Sequence, residues 1–448
     1  MMNNTFRPLF NAFNLLMLCL PALSYSQSET LLDIYALAKA NDHQLKSDYA
    51  QYLADREAAN INRAALRPNI TGTASVSQAN ADTSGTSPAE TDTDEINYGV
   101  SLTQALIDFS AWNTYKQGKT QTRIAEVSYQ ADKQDLIIRS AQAYFDTLRE
   151  VDQLQTDKAE EKSQATLLEQ TRQRYEVGLI SINDVHETQA AYDSAVANRI
   201  NTQANVGIQF DSLTVLTGKL HTAIAPLRKD FTAISPEPKN QQAWVDFALA
   251  NNLELKASEL KAEASLLSAK AAKSEHLPTL NGSISYNDRD SDIDTAGSTS
   301  SVSDTNSTVF SINLNIPLYA GGGTSALERQ AAQRAISAKE DFLFTQRSTI
   351  QSARSLYLSV TTDIAQIKAR KQAVLSNESA LEATRAGYDA GTRDIVDVVN
   401  AQSNSFQAQR DYLDTLYDYI INTLSLKQSA GNLQLSDLEK LEQSLQKN

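Results

Sequence analysis

Four short segments of the chain alternate apolar and polar residues. In the stretch from Phe310, the residues Phe310, Ile312, Leu314 and Ile316 fall on one face, and Ser311, Asn313 and Asn315 on the other. Leu280, Ile284 and Tyr286 face away from Asn281, Ser283 and Ser285; Ile70, Ala74 and Val76 from Thr71, Thr73 and Ser75. Tyr98, Val100, Leu102 and Leu106 repeat the pattern. A period of two is that of a half-buried strand, which predicts strands near 70–77, 98–107, 280–286 and 309–318. The acidic stretches Asp82–Glu95 and Asp288–Ser307 separate the members of each pair and read as solvated loops.

Elsewhere the period lengthens to that of a helix seam. Ile124, Val127, Ala131, Ile138, Ala141, Phe145 and Leu148 follow steps of three and four, with Gln134 as a polar intruder. Ile336, Leu343, Ile350, Tyr357 and Ile364 lie seven apart, and Ala353, Val360, Ile367, Val374 and Leu381 fill a second seam. Heptads sustained this long argue for coiled-coil packing. No proline lies in 89–225 or after 317, so long helices are permitted there. Trp112–Tyr175 and Thr324–Tyr388 each read as one helix of about 96 Å at ~1.5 Å per residue. Return helices are expected at Asp184–Gly218 and Asp394–Gln428, and shorter ones at Asn41–Arg67 and Asn251–His276.

The pattern occurs twice. "ANDHQLK" from Ala40 returns as "ANNLELK" from Ala250, and "RYEVGLISINDV" from Arg174 echoes "GYDAGTRDIVDV" from Gly387. Tyr175, Gly178, Ile182, Asp184 and Val185 match Tyr388, Gly391, Ile395, Asp397 and Val398, each 213 positions on. Two co-linear structural repeats are therefore expected, over 27–236 and 237–448, each ordered helix, strand, strand, long helix, helix. Residues 219–250, with Pro226, Pro236 and Pro238, read as a peripheral region at the level of the helix breaks.

Composition adds a compartment. Residues 1–26 have Arg7, the apolar run Leu15–Leu20 and small residues before Gln27, the form of a secretory signal peptide. Leu18 is too bulky to precede a lipid-anchored cysteine at Cys19. Cys19 is the sole cysteine of the 448 residues and the net charge is −14, so disulfides contribute nothing to the mature chain and nucleic acid is not an expected partner. The four histidines, 43, 186, 221 and 276, show no metal spacing, and no catalytic constellation is apparent. "YAGGGTSA" has a G-x-G-x-x-A form, but a helix of about 65 residues follows it instead of the short βαβ unit a dinucleotide needs. No cofactor, metal or enzymatic activity is expected.

Apolar-out, polar-in strands are the code of a membrane β-barrel, and Phe109, Trp112 and Tyr319 sit where an interfacial aromatic belt would. Soluble half-buried strands share that code. If the strands do span a membrane, four cannot close a barrel, since the smallest have about eight. An open edge in lipid leaves unpaired backbone groups, so an oligomer would follow. Three chains would give twelve strands.

The leader, duplication, strand pairs and both turns resemble the TolC family of outer-membrane efflux proteins over essentially the whole mature chain. "YEVGLISINDV", "HLPTLNGSISY" and "GTRDIVDV" carry the resemblance. It implies a homotrimer with a twelve-strand barrel in the outer membrane of a Gram-negative bacterium and a twelve-helix periplasmic tunnel. The implied channel is passive. It serves efflux of small molecules and type I protein export, with a periplasmic adaptor (membrane fusion protein) and an inner-membrane RND, ABC or MFS transporter. By the motif match, Asp184, Tyr388 and Arg393 are the gating latch, and Asp397 with Asn400 the lumenal constriction. Val177, Gly178, Leu179, Gly391 and Thr392 are the adaptor-docking groups. Asn400 and Ala390 depart from the family pattern, which has an aspartate and a valine there. The asparagine removes one charge per chain from the constriction, and weaker cation selectivity is expected. A general diffusion porin and a coiled-coil surface or structural protein are the competing readings. The first does not suit duplicated, clasp-bearing turns, and the second has no need for amphipathic strands.

Overall fold

The computed structural model describes residues 28–84, 89–228 and 230–445. The expected leader, with Cys19, lies outside the described residues. The chain runs α1 (Leu31–Asn41), α2 (His43–Asp55), α3 (Ala58–Ala64), β1 (Asn69–Thr83), β2 (Ala89–Ile107), α4 (Phe109–Glu176) and α5 (Ile182–Thr217). It repeats as α6 (Gln241–Asn251), α7 (Leu253–Ser274), β3 (Thr279–Thr295), β4 (Ser301–Asn315), α8 (Gly323–Asp389) and α9 (Ile395–Ser429), then adds α10 (Leu435–Glu442).

The strands form one antiparallel sheet in the order β1-β2-β3-β4. Directly opposed residues share a face, so the register can be read across all four strands. Ile70 faces Leu102, Leu102 faces Ile284, and Ile284 faces Phe310. One row on from these, Asn69, Thr103, Ser283 and Ser311 make a polar line on the opposite face. The apolar face is open: Ile70 is 67% exposed and Phe310 73%. No helix among the described residues is long and apolar enough to cross a membrane.

The strands are longer than the hydrophobic alternation. Pairing continues to Thr83–Ala89 and to Ile293–Ser301, so most of the acidic stretches expected as loops is ladder. Backbone bonds there continue after the apolar face stops, carried by alternating Thr, Ser and Asp. At the other end β4 stops at Asn315, two residues before Pro317, which has no N–H for the ladder.

The short helices break where the sequence repeats. Asp42 ends α1 and caps α2, accepting from the backbone N–H groups of Gln44 and Leu45. Asn252 does the same between α6 and α7, accepting from Leu255. The "AND/ANN" echo is thus a double cap at the start of the two expected short helices, with α1 and α6 as separate helices ahead of them. A further break at Arg56–Glu57 separates α2 from α3.

Helix stacking follows from two tight joints. Gly218, after α5, lies against Asn41, the last residue of α1 and two before α2 begins. Gly431, after α9, lies where a Cβ would stand 2.2 Å from the Asn251 carbonyl oxygen, and Asn252 Nδ2 donates to Ser429 O at 2.9 Å. So α5 continues α2–α3, and α9 continues α7. α4 runs beside both stacks, packing on α2, α3 and α5 and on α7 and α9. α8 packs on α7 and α9, with α6 at its side.

The main core lies where the stacks join. Tyr144 and Phe145 of α4 and Tyr417 and Ile420 of α9 are fully buried, beneath α1 and α10. Ile224, Ala225 and Trp244 are buried in it too, so the segment expected at the periphery contributes to the core. Tyr144 donates to Ala225 O at 2.7 Å. Gln134, the intruder in the α4 seam, donates to Leu433 O at 3.2 Å, which satisfies its amide at a packed position.

Candidate gate at the two helix turns

Both long helices end in the same backbone device. Leu179 N donates to Arg174 O at 2.9 Å and Gly178 N to Tyr175 O at 2.8 Å. Thr392 N donates to Gly387 O at 2.9 Å and Gly391 N to Tyr388 O at 3.0 Å. These are two Schellman ends, with Gly178 at φ 76° and Gly391 at φ 74°. Glycine is needed at these positions because L side chains disfavour positive φ. Each turn then reverses into the next helix within five residues.

The apices are solvated. Val177 is 70% exposed and Leu179 73%, and Gly178, Gly391 and Thr392 are exposed as well.

The three residues expected as a latch do not meet within the protomer. Asp184, on the first turn of α5, accepts from Ser181 Oγ at 3.2 Å. Arg393 Nη1 lies 3.4 Å from Asp397 Oδ2, one helical turn away. Tyr388 packs on a small buried cluster of Leu167, Ile395 and Val398. Its hydroxyl is buried with no hydrogen-bond partner among the described residues. Among those residues, no hydrogen bond or ion pair joins any two of the three.

The pairs that do cross the tip were not singled out from the sequence. Arg174 Nη2 of α4 lies 2.6 Å from Asp389 Oδ1 of α8, and the Arg174 guanidinium sits 4.9 Å over the Tyr388 ring. The Asp389 carboxylate raises the Arg174 pKa, securing its charge. Arg385 Nη2 donates to Gln402 Oε1 at 2.9 Å and to Ser163 Oγ at 3.2 Å, joining α8, α9 and α4. The one sequence signal was a basic residue in the last turn of α4, where it suits the helix dipole.

At the expected constriction, Asp394 caps α9 by accepting from Asp397 N at 2.9 Å. Its carboxylate is thereby committed to the helix end. Asp397 is half-buried beside Arg393, and Asn400 is exposed. The local negative charge is therefore offset twice, by the asparagine and by the arginine.

A sheet with an apolar open face, joined to helices about 100 Å long at ~1.5 Å per residue, is the architecture of an outer-membrane channel with a periplasmic extension. The sequence profile of the outer membrane efflux protein family matches residues 34–219 and 244–432, and the chain belongs to that family. It is 35% identical over 411 residues, covering 92% of each chain, to outer membrane protein TolC of Vibrio cholerae serotype O1. It is 28% identical to the alkaline protease secretion protein AprF of Pseudomonas aeruginosa, covering 91% of this chain and 86% of that one. Its fold matches the crystal structure of the CmeC outer membrane channel of Campylobacter jejuni with TM-score 0.78 at 15% identity, over 93% and 90% of the two chains. The protein is an outer-membrane channel of a Gram-negative bacterium that extends into the periplasm.

Proposed function

We propose that three copies of this chain form a passive duct, gated at its periplasmic end, for efflux of small molecules and type I export of proteins. The observation that carries this reading is the unfinished edge of the protomer. β1 and β4 each leave an unpaired edge on a sheet whose apolar face suits lipid, and each unpaired backbone group there would cost several kcal/mol. Two copies would give eight strands, whose interior is just filled by side chains. Three give twelve strands and leave a lumen. The helices support the same count, since α8 has an unpartnered flank that a neighbour's α2–α3 and α5 stack would cover.

Asp184, Tyr388 and Arg393, which do not meet within one chain, are the latch between neighbouring copies at the tip. Asp397 and Asn400 line the constriction, and the Arg393–Asp397 pair together with the asparagine makes it less acidic and less cation-selective. Val177, Gly178, Leu179, Gly391 and Thr392 form the exposed apex that receives a periplasmic adaptor, through which an RND, ABC or MFS transporter supplies the energy. The test is planar-bilayer conductance of the purified protein. A low resting conductance is expected, raised several-fold in Arg393→Ser. Failure to form any channel would sink the reading, and equal conductance of the two proteins would remove Arg393 from the latch.

A further inference from the structure

We propose that the groove between α4 and α8, just above the tip, binds a small multivalent oxyanion such as phosphate, held by Lys162, Arg385 and the Tyr388 hydroxyl. The groove has a volume of about 480 Å³, within the range of small-molecule sites. Its wall carries three cations, Lys162, Arg174 and Arg385, against a single carboxylate, Asp389. That balance is the reverse of the whole chain, where 54 acids outnumber 40 bases. Arg174 already holds Asp389 at 2.6 Å, so the remaining positive charge belongs to the other two.

Neither of those two is neutralised. Lys162 makes no ion pair among the described residues, and Arg385 has only neutral partners, Gln402 and Ser163, both through Nη2. Its Nε and Nη1 donors face no protein acceptor among the described residues. The Tyr388 hydroxyl lies on the same wall, buried, with the Arg174 guanidinium beside it and no acceptor for its proton among the described residues. A buried hydroxyl proton without an acceptor costs free energy that an acceptor in the groove would recover. A guanidinium fork, an ammonium and a phenol donor lining one cavity suit the several oxygens of phosphate better than a spherical halide. A bound oxyanion would bridge Lys162 of α4 to Arg385 and Tyr388 of α8, beside the Arg174–Asp389 clasp. It would strap the two long helices together at the tip and so oppose any opening that separates them.

The experiment is calorimetric titration of inorganic phosphate into the detergent-solubilised full-length protein, in chloride buffer at fixed ionic strength. Saturable binding is expected, weakened about tenfold in Lys162→Gln and in Arg385→Gln, as loss of one charge-assisted contact implies. Tyr388→Phe should weaken it by a smaller factor. Lys162 is exposed, so its substitution tests the site with no risk to the fold. Absence of saturable phosphate binding, or unchanged affinity in Lys162→Gln, overturns the proposal. In bilayers, phosphate should lower the resting conductance of the native protein and leave that of Lys162→Gln unchanged; the same response in both would overturn the strap. The bilayer measurement rests on the channel reading, whereas the titration does not, so the two can fail separately.

Discussion

α4 and α8 are the same element used twice, 68 and 67 residues long, yet their surroundings differ. α4 buries nineteen residues, among them Tyr144, Phe145 and Leu136. α8 buries three: Thr349, Ala353 and Val360. α4 has a stack of short helices on each flank, while α8 has one flank only. On α8, Leu327, Ile336, Phe344, Leu358 and Leu375 remain more than half exposed. Phe344 and Leu358 are two heptads apart and so share a stripe. Duplication built two equal halves, and joining them side by side satisfied the inner long helix and left the outer one for a neighbouring copy. The same holds in the sheet, where β2 and β3 are paired on both sides and β1 and β4 on one.

Substitutions should separate the two helices. Tyr144→Ala on α4 removes a fully buried ring and its bond to Ala225. It should cost about 3–5 kcal/mol of protomer stability, read by thermal or denaturant unfolding. Phe344→Glu combined with Leu358→Glu on α8 should leave helix content unchanged by circular dichroism while dissociating the assembly. If that pair instead unfolded the protomer, α8 would not be an interface helix. Gly391→Ala at the α8 turn has open space for the methyl but φ of +74°, so roughly 1 kcal/mol of strain is expected. A matching loss in Gly178→Ala would show that the two turns are equivalent in backbone even where their side chains are not.

Smaller effects test the link between the helices and their charge. Arg174→Ala cuts the Arg174–Asp389 clasp across α4 and α8. Both side chains are more than a third exposed, so stability should change by less than about 1 kcal/mol. Resting conductance, which depends on tip separation, should rise. The weakest effect concerns burial of carboxyls. Burial raises the pKa of Asp146 and Glu150 on α4, and of Asp363 on α8. The folded state then binds protons more tightly than the unfolded one, so these groups cost stability at neutral pH. That cost is relieved as pH falls through the raised values toward the ordinary range near 4. Denaturant midpoints measured from pH 7 downward should show a smaller gain in Asp146→Asn than in the native chain.

Much of this was legible in the sequence, because long helices and amphipathic strands are local, repeated patterns. The heptad seam placed α4 and α8 within a few residues of their ends, and the turn echo located both Schellman glycines. The double caps at Asp42 and Asn252 fall where the two short helices were expected to begin, but α1 and α6 ahead of them, eleven residues each, are too short to carry a seam that singles them out. The polar halves of the strands were missed because backbone ladders there carry no apolar alternation. The Arg174–Asp389 clasp joins residues 215 apart, a distance at which no spacing rule applies. Nor could periodicity distinguish α4 from α8: both carry seams, and only packing decides which seam is filled within the chain.

The unfilled flank of α8 is tested most directly by the mass of the purified protein in detergent, measured by light scattering with the detergent contribution subtracted. Three chains per particle are expected, falling to one in the Phe344→Glu, Leu358→Glu protein. A native protein of one chain per particle, or a variant that remains a trimer, would contradict it.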